Sequence, residues 1–486
     1  MKRKILLIGL LVITFGFVSC SDWFDVSPKS DVKADDLYST ESGFRDVLTG
    51  VYALMATENL YGRQMTFGYV DVLAQYYDRI SLKSHEYIET VNFQYKEPVD
   101  EIAINNIWST QYKAIVNLNT LLFYIDQNRY VFESENIYKI YKGEALALRA
   151  FLHFDMLRLF GPSPIMGEDL KAIPYMDSYT NIAKERSSVK EVLEKVVADL
   201  NAARELMKEV DSYGPEYENL KDSYADDRRL KNRYFHLNYY ATTALLARVE
   251  LYAGHTQEAL NAAVEIIGEP ENEPVQPFEL AIESSSEDRL FESEILFTLD
   301  IANLENIIDP YFGETALKSG LTNSGTILAF STTKRDNLFG RAVADLLFGK
   351  ESPADDDYRL KNWFATTSSS NSLMSGKLTD SEQMPLIRLS ELYYIAAECA
   401  GGSRGLDYLN KIRAHRGLVA YTDASKLEEN IYKEYCKEFM NEGQMFYYYK
   451  RKNLSSMGVY STKTVVPEEV YVLPLPVDEQ DYGNKN

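Results

Sequence analysis

The residues Phe17-Val18-Ser19-Cys20 put a thiol directly after a small residue at the end of an apolar run, where a cysteine sulfur can be made into a lipid-bearing thioether. Met1-Lys2-Arg3-Lys4 places three positive charges ahead of the run from Ile5 to Val18. That pattern reads as a signal peptide over 1–19, because the run is shorter than the roughly 20 apolar residues needed to cross a bilayer. Cleavage before Cys20 would leave the cysteine as the first residue, free to take several acyl chains. Each buried methylene contributes about 0.8 kcal/mol, so two or more chains hold a protein at a membrane where one does not. Residues 20–41 then read as a lipidated cysteine and polar tether, extended through Pro28.

Other reactive groups are harder to assemble into a reaction centre. Glu438 and Glu442 stand four apart on one helix face near Lys450 and Arg451, a set that could act as an acid pair with cationic helpers. Glycoside hydrolysis needs two carboxylates about 5 to 10 Å apart, yet among 73 Asp and Glu no motif singles out a pair. GxSxG, HExxH, phosphate-loop and dinucleotide patterns are all missing from the sequence. His85, His153, His236, His255 and His415 are scattered, and Cys399 and Cys436 sit in apolar helical stretches as small hydrophobes. The sequence therefore points to no catalytic residue, no cofactor and no metal, and to a protein that is not an enzyme.

The formal charge of -22 falls to -25 once Lys2, Arg3 and Lys4 leave with the signal peptide. Nucleic-acid affinity comes mainly from neutralising phosphates, so this balance excludes nucleic acid and favours neutral partners.

Helical periodicity covers Ser42–Thr57, Ile102–Asp126, Tyr138–Phe160, Ser188–Val210, Phe235–Ala253 and Gln257–Ile267. Residues 58–100 lack a sustained stripe and read as a long loop with short helices. Small residues at Gly143, Ala147 and Ala150, at Ala247, Gly254, Ala259 and Ala263, and at Ala396, Ala397 and Ala400 suggest tetratricopeptide-like helix pairs that pack closely. The expected organisation is an all-α repeat fold, with helical regions over 42–268 and 384–486 flanking an irregular, Pro- and Ser-rich insertion over 269–383. A strand is expected at Ile295–Leu299. Helices are expected to return at Met384–Cys399, Gly405–Ala414 and Lys426–Asn441.

Several of these stretches, in order, resemble the SusD/RagB family. They are Cys20 to Pro28, Gly143-Glu144-Ala145 with Leu148-Arg149-Ala150, Gly161-Pro162, and Ala244 to Tyr252 with Ala253-Gly254. Pro385 to Tyr393 with Ala396-Ala397-Glu398, Leu409 to Arg413, Lys437 to Gln444 with Lys450-Arg451, and Leu473-Pro474-Leu475-Pro476 with Glu479 continue the match. Departures are the Phe446-Tyr447-Tyr448-Tyr449 run and the short Gly401-Gly402-Ser403 turn. The resemblance implies a tetratricopeptide-like surface lipoprotein of Bacteroidota, anchored at the outer membrane. It would act as a lid on a TonB-dependent transporter of the SusC type and capture glycans or, in some members, peptides. It also places Glu438 and Glu442 in a scaffold helix.

Against 3 Trp the chain has 36 Tyr, a residue that offers a sugar both an aromatic face and a hydroxyl. Tyr112, Tyr138, Tyr141, Tyr239, Tyr240, Tyr252, Tyr393 and Tyr394, together with Trp108, fall at helix positions and read as scaffold. In glycan binders of the family, ligands lie on aromatics from the first loop and the insertion. The candidate ligand contacts are accordingly Tyr76, Tyr77, Asp78 and Arg79, then Tyr311 and Phe312, and then Trp363.

Overall fold

A computed structural model describes residues 34–78, 85–217, 231–282, 288–312, 327–341, 353–364, 372–373, 375–458 and 464–483. Cys20, the expected signal peptide over 1–19 and Arg79 lie outside the described residues. The chain enters through α1 (Ala34–Leu37) and α2 (Glu41–Met55), where Thr40 caps the Gly43 N–H. Residues 56–97 run as turns with two short helices, α3 (Tyr69–Leu73) and α4 (Ile88–Val91). Pro98 then starts α5 (Pro98–Gln127), where its missing N–H costs no hydrogen bond.

The next helices form a solenoid. α6 (Glu135–Phe160) is capped by Ser134, and α7 (Val189–Met207) by a capping box between Ser188 and Glu191. α8 (Tyr239–Ala253) starts on the Asn238 side chain and stops at Gly254, whose φ of 84° L side chains rarely adopt. α9 (Thr256–Ile267) completes the pair. α5 packs on α6, α6 on α7, α7 on α8 and α8 on α9, with α2 lying against α5. Gly143 permits the α6–α7 contact, since a Cβ there would come within 2.7 Å of the Met207 side chain. Trp108 packs edge-on to Phe160, as a scaffold residue should.

The region after α9 carries more regular structure than its composition suggests. β1 (Lys171–Pro174) and β2 (Arg186–Ser188) form one small ladder before it; within it, β3 (Ile295–Asp300) is followed by α10 (Leu304–Phe312), β4 (Phe330–Ser331), α11 (Thr332–Phe339), α12 (Tyr358–Trp363) and β5 (Ser372–Leu373). β3 pairs antiparallel with β6 (Gln383–Arg388), from Ile295 opposite Arg388 to Asp300 opposite Gln383. This corrects the expectation of one helix over 384–399: residues 384–388 are strand, and α13 (Leu389–Ala400) begins after them. α13 packs on α9, extending the solenoid to α14 (Gly402–His415) and α15 (Leu427–Glu438). α16 (Met445–Arg451) and α17 (Val477–Tyr482) finish the chain.

A buried charge network joins the insertion to the last helices. Glu438 accepts from Arg388 at 2.7 Å, Arg416 at 2.7 Å and Arg359 at 2.9 Å, and Arg416 also grips Glu294 with both Nη atoms at 2.8 Å. Arg359 reaches Asp357 and Glu434, and Lys377 donates to the Glu438 carbonyl at 2.8 Å and to Glu442 at 2.5 Å. Burial alone would raise the Glu438 carboxyl, but Arg416 and Arg388 hold it well below the usual range. Glu438 and Glu442 are thus fully engaged cross-links rather than a poised acid pair. Among the described residues no helix is long and apolar enough to cross a membrane.

Candidate functional site

The first loop and α10, far apart in sequence, meet on one face. Phe67 packs against Tyr311 and Phe312 at centroid distances of 5.8 and 5.4 Å, and Tyr77 against Phe312 and Phe330 at 6.0 and 5.2 Å. Asp78 donates its N–H to the Ala329 carbonyl at 3.0 Å, which ties the loop to the strand before α11. From below, the Asp71 carboxylate accepts the N–H groups of Asn441 at 2.7 Å and Gly443 at 3.1 Å. Gly443 has φ of 69°, and a Cβ there would lie 2.1 Å from the Met65 carbonyl, so the approach of the loop to this turn requires glycine.

The aromatic side chains expected to touch ligand are used differently. Tyr76 is buried and donates to the Cys436 carbonyl at 2.7 Å. Tyr77 is buried, donates to the Phe67 carbonyl at 2.8 Å and accepts from Asn441 Nδ2 at 2.9 Å. Phe312 is 5% and Trp363 0% exposed. The Trp363 Nε1–H donates to the Arg289 carbonyl at 2.8 Å, and Lys377 Nζ lies 4.2 Å from its ring centroid. These four rings offer no flat face to solvent: Tyr77 and Phe312 form the floor of the site, and Tyr76 and Trp363 belong to the core. The physical reason is that each has an apolar body matched by aromatic neighbours, and each hydroxyl or indole N–H has a backbone acceptor.

The rim consists of other groups. The Tyr311 hydroxyl donates to Glu86 Oε1 at 2.7 Å and accepts from Arg63, while Arg63 also pairs with Glu58 at 3.1 Å and Glu86 at 2.7 Å. Glu58 and Glu86 side chains are about half exposed, Arg63 and Tyr311 reach the surface only at their edges, and Asp78 is half-buried. Burial pushes the Tyr311 phenol up, so it stays a neutral donor. His85 stacks on Tyr87 at 5.1 Å behind this rim. Arg63, Glu86 and Glu58 were not singled out by sequence reasoning. The available signal was that Arg63 is the sole charge between Glu58 and Asp71, in an otherwise neutral, aromatic loop.

Two other concavities stand out. A hollow of about 200 Å³ is lined by Tyr213, Tyr234, Phe278, Glu292 and Gln383, with both tyrosines partly exposed. A crevice of about 40 Å³ between α6, α8, α13 and α16, lined by Arg248, Glu391, Tyr252 and Tyr447, is too small for a sugar ring and suits water. Among the described residues no group of His, Cys, Asp and Glu is arranged to hold a metal ion.

The helical solenoid presents a loop-built rim of hydrogen-bonding groups, and loops held on a rigid scaffold are where binding residues concentrate. Residues 22–221 match the family model described as starch-binding associating with outer membrane, and residues 347–471 match that of the SusD family. A SusD-like protein of Formosa agariphila is 20% identical across 91% of this chain and 88% of its own. A SusD superfamily protein from Bacteroides fragilis has the same fold, with a TM-score of 0.66, 20% identity and coverage of 92% of this chain and 99% of that one. A laminarin-binding SusD-like protein superimposes with a TM-score of 0.61 at 18% identity, covering 91% and 98%. The chain belongs to the SusD/RagB family, which is associated with the outer membrane.

Proposed function

We propose that this protein is a surface lipoprotein that captures a nutrient, foremost a glycan, and delivers it to a SusC-type TonB-dependent transporter, without catalysis. The observation that carries the reading is the convergence of Arg63, Glu86 and Tyr311 on one face above an aromatic floor. Neutral sugars are recognised by such alternating donors and acceptors, and a relative of the same fold binds laminarin. Family membership supports the transporter as partner and Cys20 as the lipidated anchor at the cell surface. The engagement of Glu438 and Glu442 by arginine and lysine supports the reading without catalysis, since this pair is not poised as acid and base.

Weak capture suffices for this role. Millimolar affinity corresponds to about 4.1 kcal/mol, and tethering beside the transporter raises the effective concentration for hand-over. The test is binding of the chain from Ser21 onward to neutral oligosaccharide and peptide arrays, with Arg63→Ala and Glu86→Ala in parallel. Oligosaccharide binding weakened about tenfold by these changes, at unchanged melting temperature, is the expected result. Peptide binding without a glycan signal would move the ligand class to peptides. Wild-type binding by both variants would remove the rim from the site, and binding of neither class would leave a scaffold for the barrel.

A further inference from the structure

The crevice between α6, α8, α13 and α16 is lined by polar groups that the rest of the fold does not satisfy. Arg248 Nη1 and the hydroxyls of Tyr252 and Tyr447 are buried there and find no hydrogen-bond partner among the described residues. The three residues are 6%, 4% and 4% exposed. A polar group left unmet at that depth is costly, and three of them around one space of about 40 Å³ point to a guest. The space admits a few water-sized particles and nothing much larger. Tyr447 belongs to the run Phe446-Tyr447-Tyr448-Tyr449, where the sequence departs from the family pattern.

The chemistry of the lining selects a small anion. Arg158, Arg248 and Arg451 face Glu391 and Glu398 across the crevice. Both carboxylates are already held: Glu391 accepts from Arg248 Nε and Nη2 at 2.6 Å each, and Glu398 accepts two bonds of 2.7 Å from Arg451 and lies 2.8 Å from Lys452. Arg158 pairs with Asp155 through Nε at 3.1 Å. Arg158, Arg248, Arg451 and Lys452 thus outnumber Asp155, Glu391 and Glu398 by one positive charge, in a chain whose formal charge is -22. Of the unpartnered groups, the guanidinium N–H can only donate and each phenol is free to donate. Burial raises the Tyr252 phenol while Arg158 and Arg451 pull it back down, which marks a positive field at that hydroxyl. Apolar walls from Phe154, Leu251, Ile395 and Ile431 keep the local dielectric low and strengthen the attraction. Sulfate or phosphate, with a full shell of oxygens, is too large for the space, whereas a monatomic halide is close to water in size.

We infer that this crevice binds a chloride ion, held by Arg248 Nη1 and the Tyr252 and Tyr447 hydroxyls, and that the ion braces α16 against α8. Because α16 packs on α3, the brace also stiffens the support of the first loop. In the test, the purified mature protein in a non-ionic detergent is dialysed into sodium gluconate and titrated with sodium chloride or sodium bromide at constant ionic strength, while its melting temperature is followed. A ligand of the folded state raises that temperature saturably, and constant ionic strength removes screening as a cause. The expected result is saturable stabilisation by both halides and, in crystals grown with bromide, an anomalous peak within hydrogen-bond reach of Arg248 Nη1 and both hydroxyls. Tyr252→Phe and Tyr447→Phe each keep the ring and should raise the half-saturating halide concentration at least tenfold. If a variant does not fold, the wild-type titration and the bromide peak decide. Equal melting temperatures in chloride and gluconate, or water alone in the crevice of bromide-grown crystals, overturns the site. A bromide peak without any effect in solution means an adventitious ion only and overturns it too, as does a wild-type halide response from both Phe variants.

Discussion

Asp71 accepts the backbone N–H of Asn441 at 2.7 Å, a bond between residues 370 positions apart that seats the first loop on the turn after α15. The carboxylate is fully buried, and burial pushes its pKa well above the ordinary value despite the two N–H donors. Asp71→Ala leaves both donors unpaired and should destabilise the protein by about 2–5 kcal/mol. Asp71→Asn keeps one acceptor and removes a buried charge, so it should cost less. Urea unfolding monitored by far-UV circular dichroism distinguishes the two.

Asp100 offers a pH signature. Burial raises its carboxyl to about 6, against the hydroxyls of Thr90 and Tyr69 that donate to it. A folded pKa above the unfolded one means the group favours the folded state below about pH 4, and that this contribution is lost as pH rises through about 6. Relative to Asp100→Asn, the wild-type protein should therefore lose roughly 2 kcal/mol between pH 4 and pH 7. A parallel pH dependence of the two urea midpoints would show that Asp100 does not titrate in this window.

Trp363 serves the core. Trp363→Ala should cost about 3–5 kcal/mol, and Trp363→Phe less. Any variant that remains folded should bind ligand with wild-type affinity. Isothermal calorimetry on the Phe variant checks this, and a tenfold affinity loss at unchanged stability would return the ring to the site.

The network at Glu438 predicts a large effect from removing one member. Arg416→Ala removes the two-pronged partner of buried Glu294 and one of the three arginines on Glu438, and should destabilise by about 3–5 kcal/mol. Exposed pairs such as Arg45 with Asp46 should contribute less than about 1 kcal/mol. Thermal melts of Arg416→Ala and Arg45→Ala side by side test the contrast.

The solenoid is legible in the sequence because each helix carries its own signals: Ser134 and Ser188 as caps, Gly254 as a stop, and Gly143 where two helices touch. The strand at 384–388 is not, because Met384, Leu386 and Ile387 are buried in one apolar run, which looks the same in a strand as in the helix that follows. For the candidate site, the sequence singles out two regions that the fold brings together, but not the exposure of their side chains. Whether Tyr76 presents its ring or hides it depends on the Cys436 carbonyl, 360 residues away, and no local pattern contains that partner. Arg63 and Glu86 pair directly across 23 positions, and only α10 adds the Tyr311 hydroxyl that contacts both.

The long-range bonds beneath the first loop also set an order of events. Tyr76 to Cys436, Asp71 to Asn441 and Tyr95 to the Val470 carbonyl at 2.6 Å all join the first hundred residues to those from 436 onward. A chain made amino terminus first presents this loop long before its partners exist. The face around Arg63 and Tyr311 is thus completed only when nearly the whole chain is available to fold.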